Sequence, residues 1–448
     1  MLGTIVAALA LGASSASPQS SPLSPASSVA SAQAKSQPDL NRNPSPSERA
    51  WVASVVYRTV KEYFAHWEGL PAGYDFDQQF RIYLAEALSA PDRRAFSLAT
   101  LRLVASLGNG HTAFIDQAFS QDQRPAPFFA EPVQGRWTVT ASRTPGLAPG
   151  DVITSIDGAP IETWVKPIQA IIGQSSPRAR DQRVFRRWFM LPERFVVQLD
   201  DGRRVPVSRD GPFGPQLGRP QHDEVTVQHR ADDVVVIGIP GFDDPHFEAD
   251  AVKAVRAAAG APLIVLDVRG NNGGSTPRDL LRAIMTRPYA GTMVATPLIV
   301  AENDAHGSFS PDDNPTPNAA LRYGPDVSPP EADAYQGPIA LLVDRECASA
   351  CEDLAIRFKS GGRGLILGEP TWGSTGQPIQ VTFPDLGMSL RVSTKRESLP
   401  DGARFEGVGV QPDIAIPLTR ADVSASSDTV LERAVHAALA AAHISAAH

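Results

Sequence analysis

Apolar positions in the first third of the chain recur at helical spacing. From about Pro46, the residues Trp51, Val55, Val56, Val60, Tyr63 and Phe64 return every three or four positions, with Ser47 as the expected cap. Two more helices are predicted over Asp77–Ala90 and Arg93–Leu107, and the run closes at Gly108-Asn-Gly-His-Thr112. Between residues 126 and 208 the pattern becomes that of strands. Trp137–Ala141, a turn-strand-turn across Pro149–Gly158, Val196–Leu199 and Arg204–Val207 are predicted strands, the last two joined by an Asp-Asp-Gly turn.

A Gly/Pro-rich connector at Asp210–Pro220 precedes a third pattern, in which apolar strands alternate with helices. The strands are Val234–Ile239, Leu263–Val268, Ile339–Val343 and Leu365–Leu367. The helices are Glu248–Ala259, Pro277–Met285 and Ser349–Ser360. Continuous apolar strands of this kind imply a sheet covered by helices, the α/β class. Residues 303–337, rich in Pro, Asn and Asp, predict a long surface loop in the position of a lid.

Composition narrows the picture. A length of 448 residues predicts two or three folded units, and 42% hydrophobic with 20% charged residues is ordinary for a globular protein. A net charge of −8 argues against a nucleic-acid partner. No apolar run reaches the roughly 18 residues of a membrane span, so no transmembrane anchor is expected. Leu2–Leu11 followed by small residues, with Ser14 and Ala16 at the −3 and −1 positions, predicts a signal peptide over residues 1–16, although no Lys or Arg precedes it. Export to the periplasm or the medium follows from that reading. Residues 17–45 are Ser/Ala/Pro/Gln-rich and predict a disordered linker. The two cysteines, Cys347 and Cys351, are expected to be small buried apolar residues, because a pair four apart on one helix is poorly placed for a disulfide.

Three features carry candidate chemistry. Asp267-Val-Arg-Gly-Asn-Asn-Gly-Gly274 runs from a buried strand into a glycine turn whose N–H groups are free to face a developing oxyanion. It lacks the Gly-Lys-Ser/Thr and G-x-G-x-x-G signatures of phosphate binding. Ser349, in Cys347-Ala-Ser-Ala-Cys351, stands where a strand becomes a helix, a place that suits either a nucleophile or a simple N-cap. His111 follows a helix and gains meaning only with a partner, because serine needs a base to be nucleophilic near neutral pH.

The order of the glycine turn, the serine motif, Gly368-Glu-Pro-Thr-Trp-Gly-Ser-Thr-Gly376 and Phe405-Glu-Gly-Val-Gly-Val-Gln-Pro-Asp-Ile414 resembles the C-terminal processing proteases and their tricorn-core relatives, over roughly residues 95–420. Leu147-Ala-Pro-Gly-Asp-Val-Ile153 resembles the hallmark turn of a PDZ-like module, which binds extended peptides at a sheet edge. The resemblance implies a Clp-protease/crotonase-like ββα core with an N-terminal helical unit and a PDZ-like β-domain. The expected layout is 46–125 for the helical unit carrying the base, 126–210 for the PDZ-like domain, 221–420 for the α/β catalytic core and 421–448 for a C-terminal helix.

In the Ser–Lys branch of that family a lysine lies about 25 residues after the serine; here that position is Ser374. The resemblance therefore points to the histidine-base branch. It implies Ser349 as nucleophile, His111 as general base and Glu406 as the supporting carboxylate. Gly273 or Gly274, together with Ala350, would supply the oxyanion hole. Tricorn-core proteases place a bridging serine before the histidine, where this chain has Gly110, so Thr112, Ser374 and Thr375 are the hydroxyls available to replace it. Asn109 stands where many relatives have aspartate, a mild change in a turn. The function implied is a serine peptidase acting on peptide or unfolded protein, with no cofactor and no metal. The alternatives are a catalytically inactive peptide- or ligand-binding protein on the same scaffold and a crotonase-like acyl-thioester enzyme.

Overall fold

The computed structural model describes residues 38–121, 127–210, 223–298 and 319–446. The expected signal peptide, the expected linker up to residue 37 and the first part of the expected lid loop, 303–318, lie outside them.

At the centre is a six-stranded sheet. Ile414–Ala415, Leu365–Gly368, Ile339–Val343, Ile264–Asp267 and Val235–Gly238 run parallel in that spatial order, and Thr226–His229 joins the last of them antiparallel. Every residue of Ile339–Val343 is buried, because helices cover both faces. Ile264 and Leu266 face the helices Pro245–Ala257, Arg278–Ile284 and Ala350–Ser360. Val265 and Leu342 face the helix Thr429–Ala446 through Val430, Leu431 and Val435. Each such side chain contributes about 1.5–3 kcal/mol by leaving water. The loops at the carboxyl ends of these strands hold the glycine turn and Ser349, which is where parallel sheets generally place their sites.

The N-terminal helices are Pro46–Tyr63, Phe76–Ser89 and Arg93–Ala105, capped by Ser45, Asp75 and Asp92. The first cap is Ser45 rather than Ser47: Ser45 Oγ accepts from the Glu48 N–H while Glu48 Oε2 accepts from the Ser45 N–H, with Pro46 in the first turn. The apolar stripes of these helices pack on an antiparallel sheet of Ala113–Asp116, Met388–Ser393 and Pro378–Phe383. A buried ion pair fixes the join. Arg93 donates to both oxygens of Asp116 at 3.0 and 2.6 Å, and Ser97 Oγ donates to Oδ2 at 2.5 Å. The strand that follows His111 is thereby fastened to the helices before it.

Residues 128–208 form a ladder of Phe128–Val133 with Arg136–Ser142 and a four-stranded sheet of Ala159–Pro160, Ile153–Ile156, Arg194–Leu199 and Arg204–Ser208, around their own core. Part of the expected lid loop is regular structure. Ala319–Tyr323 pairs antiparallel with Met293–Leu298, and Val327–Ser328 pairs with Tyr289–Ala290. The Pro- and Asp-rich composition on either side masks these short pairings, which tertiary contact decides. The C-terminal segment holds two helices, Arg420–Ser424 and Thr429–Ala446.

Candidate active site

The strand Ile339–Val343 leads through a short turn to Ser349, the residue before the helix Ala350–Ser360. Ser349 has φ 54° and ψ −117°, a conformation that costs a non-glycine residue about 1–3 kcal/mol. An N-cap is ordinarily extended, so this backbone marks Ser349 as more than a cap. Its N–H is shared between Ser374 O at 3.3 Å and Glu352 Oε2 at 3.2 Å. Glu352 also accepts from Gly373 N–H at 2.6 Å, Ser374 N–H at 3.1 Å and Thr371 Oγ1 at 2.5 Å. One buried glutamate thus ties the helix after Ser349 to the loop carrying Ser374, and burial pushes its carboxyl up to about 8 against those bonds.

Cys347 and Cys351 form a disulfide, which overturns their reading as unpaired apolar residues. The helix begins only at Ala350, so Cys347 lies in the approaching turn and the Cα atoms are 5.4 Å apart, within disulfide reach. The bridge spans Ser349.

Gly273, at φ 97°, lies so close to Ser349 that a Cβ there would come within 2.6 Å of Ala348 O and 2.8 Å of Ser349 Cβ. Its N–H is committed to Asn271 Oδ1 at 2.9 Å, and Asn271 is itself held by Ile239 O at 3.2 Å. Among the described residues, no acceptor takes a hydrogen bond from the N–H of Gly274 or Ala350.

The histidine side is assembled from distant segments. Asn109 Oδ1 accepts from the His111 N–H and from Thr112 Oγ1, each at 3.0 Å, and Thr112 Oγ1 accepts from the Ser393 N–H at 3.1 Å. Thr112 therefore anchors the turn and does not bridge. His111 Nδ1 is 3.1 Å from Ser374 Oγ, which donates to Glu406 Oε1 at 3.2 Å. With its one proton on Glu406, the Ser374 hydroxyl accepts from Nδ1–H, leaving Nε2 with its lone pair. Asn109 Nδ2 donates to Glu406 Oε1 at 2.9 Å, and the Ser175 hydroxyl donates to the same oxygen. Glu406 reaches Ser374 because their loops pair, through Gly407 N–H to Gly373 O at 2.7 Å and Val410 N–H to Thr371 Oγ1 at 2.7 Å.

Gly110 explains how Ser374 fits. A Cβ on residue 110 would stand 3.0 Å from Ser374 Oγ, so the hydroxyl fills space that a side chain at 110 would contest. Thr375 is buried, and its hydroxyl acts on Glu397 rather than on His111. Lys359 points elsewhere, to Gln411 O at 2.7 Å and Asp413 Oδ1 at 2.8 Å.

Burial is the first cause of each shift in protonation here. It pushes the Glu406 carboxyl up to about 7 against the Ser175 and Ser374 hydrogen bonds. It brings the His111 imidazole down to about 4, with Arg391 adding to the effect, so the ring is a neutral base at neutral pH. His66, whose Nδ1 is 4.0 Å from Glu406 Oε1, is held down to about 3 and stays neutral.

His111, Ser349 and Ser374 line one cavity of about 300 Å³, beside Trp372, Asn272 and Ala348. No direct hydrogen bond joins His111 to Ser349. Such contacts commonly tighten only when substrate binds. Asn109, Ser175 and Glu352 were missed as site residues. Ser175 lies in the β-rich insert, with no local signal to single it out.

Residues 233–416 match the model of peptidase family S41. It is 28% identical over 284 residues to the carboxyl-terminal-processing peptidase 2, chloroplastic, of Arabidopsis thaliana, covering 61% of this chain and 47% of that protein. It is 31% identical over 159 residues to the C-terminal processing peptidase, chloroplastic, of Tetradesmus obliquus, covering 35% of this chain and 29% of that protein. The chain thus spans less than half the length of these curated relatives. The solved structure of mature CPAF complexed with lactacystin superposes with a TM-score of 0.65 at 16% identity, covering 88% of this chain and 97% of that one, a likeness of fold. The family match includes Gly273, Gly274, Ser349, Ala350, Ser374 and Glu406; His111, Asn109 and Ser175 lie outside it.

Proposed function

We propose that this protein is a serine peptidase in which Ser349 is the nucleophile and His111 the base. The observation that carries the reading is the chain from His111 Nδ1 through Ser374 Oγ to Glu406 Oε1, which leaves Nε2 free on the cavity that Ser349 also lines. Ser349 Oγ attacks the substrate carbonyl and its proton passes to His111 Nε2. The resulting oxyanion accepts from the N–H groups of Ala350 and Gly274; Gly274 is preferred to Gly273, whose N–H is held by Asn271. His111 then delivers the proton to the leaving amine, and water, activated by the same ring, releases the acyl group from Ser349. Glu406, acting through Ser374, fixes the tautomer and supports the imidazolium.

Peptides or unfolded proteins are the substrates this cavity suits, with the 128–208 unit acting as a PDZ-like peptide-binding module. The disulfide beside the nucleophile supports a periplasmic or secreted location, since such bonds persist in oxidising compartments. Among the described residues, no helix is long and apolar enough to cross a membrane.

The test is hydrolysis of an unfolded protein followed by fragment analysis. Wild-type protein should generate new amino termini, and Ser349→Ala none. Equal cleavage by both would place the chemistry elsewhere.

A further inference from the structure

The wall of the catalytic cavity has an unusual charge. Arg183, Arg187 and Arg391 line it beside Ser349 and His111, and among the described residues the lining contains no aspartate or glutamate. This occurs in a chain with a net charge of −8. Nor are the three guanidiniums paired: among the described residues none makes an ion pair or a side-chain hydrogen bond. Most arginines lining the neighbouring cavities are neutralised, among them Arg345 by Glu369, Arg269 by Asp267 and Asp428, and Arg396 by Glu68. Glu346, the carboxylate that exerts a pull on Arg183, is already engaged by Arg186.

Arg183 lies 3.7 Å above the ring of Trp372, whose Nε1 donates to Gln174 Oε1 at 2.9 Å. That stack orients the guanidinium and partly offsets its desolvation without neutralising it. Burial lowers both Arg183, to about 9, and Arg187. Arg391 is delivered from another element, the strand Met388–Ser393, which pairs with the strand following His111. Three cations thus converge on one partly desolvated space from two directions. Leaving such charges uncompensated is costly unless a ligand supplies the counter-charge.

We propose that this cavity binds a carboxylate of the peptide substrate, held by Arg183, Arg187 and Arg391 next to the bond that Ser349 attacks. The inference rests on the reading of the cavity as a peptide site and names its substrate class. The carboxylate belongs either to an acidic side chain or to the peptide's own C-terminus; the same guanidinium chemistry serves both.

The test is equilibrium binding to full-length Ser349→Ala protein, which avoids turnover. Three alanine-rich peptides carry a neutral dye: one with a central glutamate and an amidated end, one with glutamine in its place, and one neutral throughout with a free C-terminal carboxylate. At least one carboxylate peptide should bind about tenfold or more tightly than the glutamine amide, as expected for a charge-assisted contact. Which one does so identifies the source. The preference should shrink with added salt and fall toward unity in Arg183→Gln, Arg187→Gln or Arg391→Gln, while Arg183→Lys should retain part of it. Equal affinity for all three peptides overturns the inference, and so does a preference that survives all three glutamine variants. The peptide comparison needs no arginine variant to fold. It also separates the two readings: equal binding with Ser349 still reactive in wild-type protein removes only the carboxylate site, whereas an unreactive Ser349 removes the peptidase reading.

Discussion

The two sides of the proposed catalytic cavity are built in opposite ways. The nucleophile side is regular structure: a fully buried strand, a tight glycine approach and a helix, with Glu352 collecting three backbone N–H groups and one hydroxyl. The base side has little regular structure. Asn109 and His111 share one turn, Ser374, Glu406 and Ser175 come from three other loops, and the group meets through side-chain hydrogen bonds. Two buried glutamates mark the difference. Glu352 holds the backbone in place, whereas Glu406 sits at the end of a relay. Removing the first should damage the fold around the nucleophile, and removing the second should damage the chemistry while sparing the fold.

That contrast is open to direct attack. The largest effect on turnover is expected from Ser349→Ala, a loss of about 10⁴-fold or more with the denaturation midpoint little changed, checked by peptide hydrolysis and urea titration. His111→Ala should follow, with a loss of about 10²–10⁴-fold. Glu352→Ala should lower both activity and stability, the latter by about 2–5 kcal/mol, because it strands buried donors; urea unfolding would measure it. Glu406→Gln should cost less activity than the nucleophile variant and leave the unfolding midpoint nearly in place. If Glu352→Ala and Glu406→Gln proved equally destabilising, the division between framework and relay would be wrong.

The smallest but most specific effect concerns pH. Glu406 is raised to about 7 in the folded protein, so its ionised form, the one that supports an imidazolium, appears as pH rises through about 7. kcat/KM should rise across that range, and Glu406→Gln should erase the inflection. Stability runs the other way. A carboxyl whose folded pKa exceeds its unfolded value stabilises fully below the ordinary carboxylate range, and that contribution is lost as pH rises through about 7. His111, lowered to about 4, stays neutral throughout and adds no inflection near 7. Its cost to stability appears instead as pH falls from the ordinary histidine range toward about 4.

The same contrast sets what can be read from the sequence. Ile339–Val343 and the Gly273-Gly274 turn announce themselves locally, as an apolar run and a glycine pair, so the α/β core and its resemblance to a family were legible. Ser374 was legible as an absence, the missing lysine, and as one of three candidate hydroxyls. Choosing among them required the fold, since Thr112 is spent on Ser393 N–H and the Thr375 hydroxyl acts on Glu397. Asn109 looked like a turn residue because its contact with Glu406 joins positions 297 apart. The disulfide escaped for a smaller reason: Cys347 and Cys351 were expected on one helix, whereas the helix begins at Ala350 and leaves Cys347 in the turn before it. Long-range side-chain contacts and one-residue boundary shifts leave no periodic trace.

The central claim is that His111 activates Ser349. It is tested most directly by the rate at which a serine-reactive phosphonate labels the folded protein, with the modified residue located by mass spectrometry. The account predicts a single adduct on Ser349 in wild-type protein and labelling slowed by at least about 10²-fold in His111→Ala. An adduct on another residue, or Ser349 labelled equally fast without His111, would contradict it.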